Sequence, residues 1–276
     1  MLTALAIAPL AASAALAAAP PKPLLVVCSP GSPGTSAEAQ ATMDLFAEAL
    51  SARAGVPLAA VYEESEEAGV ERLRAKDAAA ALVSLPFYLK HERDLALRAH
   101  LQAVAKGRPD LERWALLAKK GRVATPAALD GFTLVSSAAF APAFLRGPAL
   151  GGYGPLPASV RVVQSGSVLS SLRRAAAGEP VAVLVDGAQG AALSSLPFAS
   201  ELEAVTRSPP LPAGVVAAVD ARLAPKAWSA VEAALLALPS DARGASALDA
   251  LRTARFTPVD EGALAAARKA YAEAAR

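Results

Sequence analysis

Short, uninterrupted apolar runs recur along the chain and alternate with longer segments of helical periodicity. In the first third, apolar runs predict strands at 24–28, 56–62 and 79–85, with helices at 37–54 and 68–76 between them. The first helix would place Met43, Phe46 and Leu50 on one face, with Thr35 or Ser36 as its N-cap. Short strands separated by helices of this length form βαβ units, so the pattern predicts an α/β fold with parallel sheets covered by helices.

The same alternation restarts in the middle of the chain and continues across a polar break at 119–125. It predicts strands at 114–119, 132–136, 160–164, 180–185 and 215–219, a short helix at 125–131, a helix at 167–177, and tail helices at 225–238, 245–253 and 262–275. A second break, rich in proline, lies at 207–212. The two breaks predict one lobe formed by 22–120 plus 208–276 and a second lobe formed by 121–207.

Residues 1–19 form an uncharged segment rich in Ala and Leu that ends in small residues. The apolar part is too short and too rich in alanine for a transmembrane helix, and it predicts a secretory signal with cleavage near 17–19. Because no Lys or Arg precedes the apolar part, a retained hydrophobic N-terminal helix is the alternative. The single cysteine, Cys28, lies in an apolar run and is expected to be a small buried strand residue.

The charge pattern disfavours several classes of function. The chain has 27 basic and 25 acidic residues that are interspersed, without a basic face rich in aromatic residues, so we expect no nucleic-acid partner. His91 and His100 lie nine residues apart in a charged stretch that we interpret as a solvated helix face. Without a cysteine pair or a His-Glu-x-x-His pattern, we expect neither a metal site nor a cofactor.

An enzyme is also disfavoured by the sequence. No Gly-x-Ser-x-Gly motif follows a predicted strand, although one sequence leaves open a dispersed Ser-His-Asp triad. About 250 residues remain after the predicted cleavage, which is enough for one large domain or two lobes with their own cores. We therefore expect a binding protein rather than an enzyme.

Polar side chains and two aromatic residues lie at or just beyond predicted strand ends. A glycine-rich loop that leads into a helix presents free backbone N–H groups and the positive end of the helix dipole, which suits an oxyanion. Because ligands bind at the strand ends of open α/β sheets, we expect these side chains to face one cleft: Ser32, Thr35, Ser84, Tyr88, Ser136, Ser137, Phe140, Ser167 and Asp186. The alternative is that the hydroxyl residues only cap helices and form turns, and Asp186 fits both interpretations.

Several motifs, taken in order, resemble a known family. They are the loop 32–35 with the helix start 38–44, the strand end 82–88, the helix-turn-strand 125–137, Ser165-Gly166-Ser167, the strand 183–186, the Pro-rich stretch 208–212, and 255–259 before the last helix. Together they resemble the periplasmic solute-binding proteins of ABC transporters, in the phosphate/phosphonate-binding branch of the type II periplasmic-binding fold. The resemblance implies two lobes, each a mostly parallel sheet flanked by helices, that close on a small molecule and deliver it to a membrane permease.

One departure from that family changes the expected ligand. Phosphonate-binding members carry a Ser-Thr-Ser run where this chain has Ser136-Ser137-Ala138-Ala139-Phe140, so that a hydroxyl donor is lost and an aromatic ring is gained. Each missing partner of a buried oxyanion costs about 1–3 kcal/mol. The sequence therefore favours a ligand that is less charged, or more apolar, than a phosphonate.

The combined prediction is a monomeric, exported, periplasmic solute-binding protein whose partners are a small-molecule ligand and an ABC-type membrane permease. A carrier of a lipid-like or apolar ligand, or a periplasmic sensor domain on the same fold, is the alternative. A scaffold without any ligand is a third hypothesis.

Overall fold

A computed structural model of the protein describes residues 22–31 and 34–276. The predicted signal segment 1–19 and the candidate site residue Ser32 lie outside the described residues. Within the described part, none of the helices combines the length and the apolar character that crossing a bilayer requires.

The strands form two sheets, one in each lobe. The first contains β1 (Leu24–Cys28), β2 (Ala59–Glu63), β3 (Ala78–Ser84), β4 (Leu97–Ala105), β10 (Gly214–Val219) and β11 (Thr253–Pro258), in the order β11-β4-β10-β3-β1-β2. The second contains β5 (Ala115–Lys119), β6 (Thr133–Ser136), β7 (Arg161–Gln164), β8 (Val181–Val185) and β9 (Leu202–Arg207), in the order β7-β6-β8-β5-β9. The predicted α/β class is confirmed.

Helices cover the sheets and lie between the lobes. They are α1 (Ser36–Ala54), α2 (Glu66–Arg74), α3 (Leu85–His91), α4 (Pro142–Phe144), α5 (Val168–Ala176), α6 (Gly187–Ala192), α7 (Pro225–Ala237), α8 (Ala242–Ala250) and α9 (Glu261–Ala274). A π-helical turn at Leu145–Ala149 continues α4, and 3-10 turns lie at Pro126–Leu129, Leu193–Ser195, Ala199–Glu201 and Leu238–Ser240. The buried face of α1, formed by Met43, Phe46, Ala47 and Leu50, includes the apolar positions that its periodicity predicts.

Strand pairing is mixed rather than mostly parallel. In the first sheet β1 is parallel to β2 and β3, whereas β10 is antiparallel to β3 and β4, and β11 is antiparallel to β4. In the second sheet β6 is parallel to β7 and β8, whereas β5 is antiparallel to β8 and β9. β5 and β10 each follow a crossing from the other lobe, so they start at the cleft edge and run away from it. β11 follows α8 within the first lobe and runs in the same direction as β10.

The two crossings between the lobes lie side by side. Glu112 and Leu211 form an antiparallel bridge in which each backbone N–H donates to the other residue's carbonyl oxygen at 2.8 Å. The return crossing coincides with the predicted break at 207–212. The outgoing crossing lies before β5, and β5 pairs with strands of the second sheet. The second sheet therefore begins before residue 120, where the sequence predicts the boundary between the lobes. The apolar run of β5 predicts a strand correctly but carries no information about which sheet it joins.

The charged stretch around the two histidines is not a solvated helix face, and that interpretation is wrong. Helix α3 ends at His91, whose Nε2 lies 2.6 Å from Oε1 of Glu66. His100 lies in β4, between β10 and β11, and its Nδ1 accepts a hydrogen bond of 3.1 Å from the indole N–H of Trp228. Both partners are distant in sequence, so local periodicity could not identify them.

Helix α9 contacts both lobes, although the sequence assigned it to lobe one. Arg268 donates hydrogen bonds to the carboxylate of Glu92 at 2.8 Å and to the hydroxyl of Tyr88 at 2.6 Å, which ties α9 to the first lobe. On its other side α9 packs closely against the π-helical turn of the second lobe, where an added Cβ at Gly147 would lie 2.2 Å from the carbonyl oxygen of Ala270. A continuous apolar core therefore extends from one lobe to the other through α9.

Replacing Gly147 with Ala should lower the free energy of unfolding by about 1–3 kcal/mol, because the new methyl group would overlap the backbone of α9. Gly152→Ala is the matched control, since an added Cβ there meets nothing within 4 Å and should change stability by less than about 0.5 kcal/mol. Urea denaturation of both variants measures the difference. Equal stability of the two variants would contradict the close packing of α9 against the second lobe.

Candidate ligand-binding site

A cavity of about 390 Å³ lies between the lobes, next to the paired crossings. Its walls come from the end of β3, the start of α3, the segment that leads into β5, the loop after β6 and the start of α6. The lining residues are Ser29, Pro30, Ser84, Pro86, Ala105, Arg108, Pro109, Leu111, Glu112, Arg113, Trp114, Ser137, Ala138, Phe140, Asp186, Gly187, Ala188 and Ala213. We call this space the cleft cavity.

Two buried donors at the cleft cavity have no hydrogen-bond partner among the described residues. They are the hydroxyl of Ser84 and the indole N–H of Trp114, which faces the carboxyl group of Glu112 without reaching hydrogen-bond geometry. Ser84 occupies the N-cap position of α3 without making a capping bond, and the Trp114 ring is held edge-on against Phe144 at a centroid distance of 5.0 Å. An unsatisfied buried polar group costs about 1–3 kcal/mol, so both groups are suited to bind a ligand that accepts hydrogen bonds.

Two carboxyl groups lie on the second-lobe side of the cleft cavity. Oε2 of Glu112 accepts a hydrogen bond of 3.0 Å from the backbone N–H of Gly187, and Asp186 caps α6 by accepting one of 2.7 Å from Gln189. Burial, together with the nearby charge of Asp186, raises the pKa of Glu112 to about 8, and burial also raises the pKa of Asp186. Glu112 is therefore mostly protonated at neutral pH and carries a proton that it can donate.

The lobes are in contact across the cleft. An added Cβ at Gly31 would lie 2.8 Å from Cβ of Ser137, and Gly31 also has a φ of +81°, so that glycine is required both for space and for conformation. Lys90 of α3 donates a hydrogen bond of 2.7 Å to the carbonyl oxygen of Phe140 in the second lobe. Backbone and side-chain contacts thus join the two lobes beside the cleft cavity.

The structure brings four of the candidate residues together at the cleft cavity, namely Ser84, Ser137, Phe140 and Asp186. Ser136 lies behind them and is fully buried, and its hydroxyl accepts a hydrogen bond from the backbone N–H of Ala138 at 3.2 Å. Asp186 both caps a helix and lines the cavity, so the two interpretations of this residue are compatible.

Three other candidates lie elsewhere in the structure. Tyr88 is fully buried in the core, with its hydroxyl bound to Arg268, and it does not line the cleft cavity. Ser167 is exposed at the start of α5 and makes no capping bond. Thr35 lines a second cavity in the first lobe and caps α1. The set of site residues stays a prediction.

The start of α1 differs from the open oxyanion site that its glycine-rich loop predicts. Oε2 of Glu38 accepts a hydrogen bond of 2.8 Å from the backbone N–H of Thr35, and Oε2 of Glu64 accepts one of 3.0 Å from that of Ser36. The protein's own carboxylates therefore already occupy donors of this helix start. The sequence pattern could not reveal this, since Glu64 comes from the loop after β2.

Sequence reasoning missed Glu112 and Trp114. The candidate residues lie at or beyond the carboxyl ends of strands, whereas these two precede β5, at the amino end of a strand that starts at the cleft. Within residues 22–31 and 34–276, no group of three His, Cys, Asp or Glu side chains is close enough to hold a metal ion.

The raised pKa of Glu112 predicts a specific dependence of stability on pH. The folded protein holds this proton up to about pH 8, whereas an ordinary glutamate loses it near 4.5, so stability should fall as pH rises through this interval. The full shift corresponds to at most about 5 kcal/mol, and because the Glu112 side chain is only partly buried we expect a loss of about 1–3 kcal/mol. Urea denaturation at pH 5, 6.5 and 8 measures it.

Glu112→Gln should flatten this part of the pH profile, because glutamine has no proton to lose. Glu273→Gln, which removes an exposed carboxyl group on α9, is the control and should leave the profile unchanged. If Glu112→Gln keeps the slope of the unmodified protein, Glu112 is ionised like an ordinary surface glutamate.

Comparison with known proteins gives a family and a fold. Residues 32–264 match the family described as ABC transporter, phosphonate, periplasmic substrate-binding protein. A search of curated proteins found no match. Solved structures show the same two-lobed type II periplasmic-binding fold, which confirms the resemblance.

Three of these structures illustrate the similarity. XAC2383 from Xanthomonas citri, solved with chloride, has a TM-score of 0.73 at 15% identity, covering 92% of this chain and 99% of its own. The binding-protein component of an ABC phosphonate transporter from Pseudomonas aeruginosa has a TM-score of 0.68 at 13% identity, with 92% and 87% covered. PhnD1 from Prochlorococcus marinus, in complex with methylphosphonate, has a TM-score of 0.59 at 14% identity, with 90% and 98% covered.

Proposed function

Because the chain belongs to the family of periplasmic phosphonate substrate-binding proteins of ABC transporters, we propose that it captures a small solute in the cleft cavity and presents it to an ABC-type permease. The observation that carries this proposal is the pair of unpartnered donors, Ser84 and Trp114, at a cavity beside the paired crossings. Export through the N-terminal segment, with removal of residues 1–19, and action as a periplasmic monomer are parts of the same proposal.

The ligand that we propose is less polar than a small phosphonate. Pro30, Pro86, Ala138 and Phe140 give the cleft cavity a largely apolar wall. Ser136 is fully buried behind this wall and does not line the cavity, so its hydroxyl does not face a ligand there. Arg108 and Arg113 also line the cavity and can balance one anionic group. A ligand that combines such a group, or one or two hydrogen-bond acceptors, with an apolar part therefore matches this lining better than a small, multiply charged phosphonate does.

Native mass spectrometry of the protein purified from its own periplasm tests the capture of a solute directly, since a bound small molecule adds a discrete mass. Intrinsic fluorescence then tests where the solute binds. Of the two tryptophans, Trp114 lines the cleft cavity and Trp228 is buried in the first lobe. In a Trp228→Phe variant, binding should shift the emission of Trp114, and binding without a shift would place the ligand elsewhere.

Methylphosphonate, phenylphosphonate and inorganic phosphate are suitable probes in that assay. We expect phenylphosphonate to bind more tightly than inorganic phosphate, because its ring can pack against the apolar wall while its oxygens meet Ser84 and Trp114. Stronger binding of inorganic phosphate would contradict the proposal of a less polar site.

Substitutions at Ser137 and Phe140 distinguish a site that recognises an apolar group from a site that recognises an oxyanion. Ser137→Ala should weaken binding of phenylphosphonate by at most about 1.5 kcal/mol, the value of one neutral hydrogen bond. Phe140→Ala should weaken it by about 2–4 kcal/mol through loss of apolar contact. Calorimetry measures both, and urea denaturation of each variant shows that it is folded during the titration.

The reverse order of the two effects would identify an oxyanion site. If Ser137→Ala abolishes binding while Phe140→Ala leaves it intact, hydroxyl donors dominate recognition and the ligand is a charged oxyanion.

A further inference from the structure

We propose that the ligand is an amphiphile whose apolar chain extends from the cleft cavity into a second cavity inside the first lobe. This inference rests on the proposed function, since it assumes that the polar end of the ligand binds in the cleft cavity. The inference adds a second subsite to the proposed binding site. It also specifies the chemical class of the ligand, which has a small polar head attached to an unbranched or aromatic apolar tail.

The second cavity has a volume of about 710 Å³ and lies between the start of α1 and the turn from α8 to β11, over the cleft-side ends of β1 and β3. We call it the lobe-one cavity. Its apolar lining consists of Val27, Cys28, Ala39, Met43, Leu82, Val83, Ala103, Ala213, Gly214, Ala250 and Leu251. Several of these are alanine or glycine, whose small side chains leave the cavity wide.

The two cavities are adjacent. Ser29, Ser84 and Ala213 line both of them, so that a ligand long enough to extend past these residues would enter both spaces. The unpartnered hydroxyl of Ser84 lies at this junction. A hydrogen-bond acceptor placed there would join a head in the cleft to a tail in the lobe.

A second unpartnered hydroxyl supports occupancy of the lobe-one cavity. Tyr62 is 9% exposed, lines this cavity, and its hydroxyl has no hydrogen-bond partner among the described residues. Burial raises the pKa of Tyr62, so its hydroxyl keeps its proton and can donate it to a polar atom on the ligand. Leaving this group unsatisfied is unfavourable, and an ether, ester or amide oxygen within the tail would satisfy it.

The charges around the lobe-one cavity favour an uncharged tail. The charged lining residues are Glu38 and Arg252, both exposed at the rim. The carboxylate of Glu38 is already bound to the backbone N–H and the hydroxyl of Thr35. The inner wall is therefore neutral, and a charged group there would lack a counter-charge.

A homologous series of n-alkylphosphonates, from methyl through butyl and hexyl to octyl, tests the proposal by calorimetry on the full-length mature protein. Full burial of a methylene group improves affinity about fourfold. Because part of the chain can remain in contact with solvent, we expect octylphosphonate to bind at least about tenfold more tightly than methylphosphonate.

Two variants of α1 form a matched pair for the same series. Ala39→Leu adds apolar volume to the wall of the lobe-one cavity, whereas Ala41→Leu adds the same volume to an exposed position of the same helix. In Ala39→Leu, octylphosphonate should bind at most about threefold more tightly than methylphosphonate. In Ala41→Leu, the preference for octylphosphonate should stay close to that of the unmodified protein. Both substitutions use a strong helix former, so the helix itself should be preserved.

The outcomes separate this inference from the proposed function. A gain with chain length that only Ala39→Leu removes supports the lobe-one subsite. If methylphosphonate binds and shifts the emission of Trp114 but longer chains bind no better, the tail subsite is refuted and the proposed function stands. A gain that survives in Ala39→Leu also refutes the subsite. If no member of the series binds, the proposed head recognition fails, and the tail subsite fails with it.

Discussion

The pairing of Glu112 with Leu211 is the constraint on which the rest of the structure depends. Both segments that cross between the lobes pass beside the cleft, and the two backbone hydrogen bonds of 2.8 Å hold them as one antiparallel unit. The same unit is extended by Ser208, whose hydroxyl accepts a hydrogen bond from the backbone N–H of Trp114 at 2.9 Å. Glu112 and Trp114 are therefore held in place at the cleft cavity by backbone hydrogen bonds between the two crossings.

The contact of α9 with both lobes adds a second constraint. Arg268 ties this helix to Glu92 and Tyr88, while its other face packs on Gly147 without room for a methyl group. If the lobes separate by rotating about the paired crossings, the packed interface between α9 and the second lobe must therefore also break or slide. Lys90, which donates to the carbonyl oxygen of Phe140, is a smaller contact that the same motion would break.

Local patterns predicted most individual elements of the fold, because α1, β1, β5 and β8 each have an apolar pattern that matches their burial. They failed for β4, where Arg98, His100 and Gln102 lie inside a central strand and obtain their packing or partners from distant residues such as Trp228. They also failed for sheet membership, which depends on how the chain crosses between lobes. At the candidate site, strand ends located Ser84, Ser137, Phe140 and Asp186, whereas Tyr88 lies in the core. Glu112 and Trp114 needed the topology, since they precede a strand that starts at the cleft.

The carboxylates at the start of α1 have a kinetic consequence. A free helix start would attract anions and raise the rate at which they reach the cleft. Here Glu38 and Glu64 accept hydrogen bonds from Thr35 and Ser36 and offset that partial positive charge. Two carboxylates outweigh the roughly half positive charge of one helix start, so anionic solutes should approach this side of the cleft more slowly than neutral ones, and added salt should narrow the difference. The rate of association, and not only the time that each solute stays bound, then discriminates among solutes.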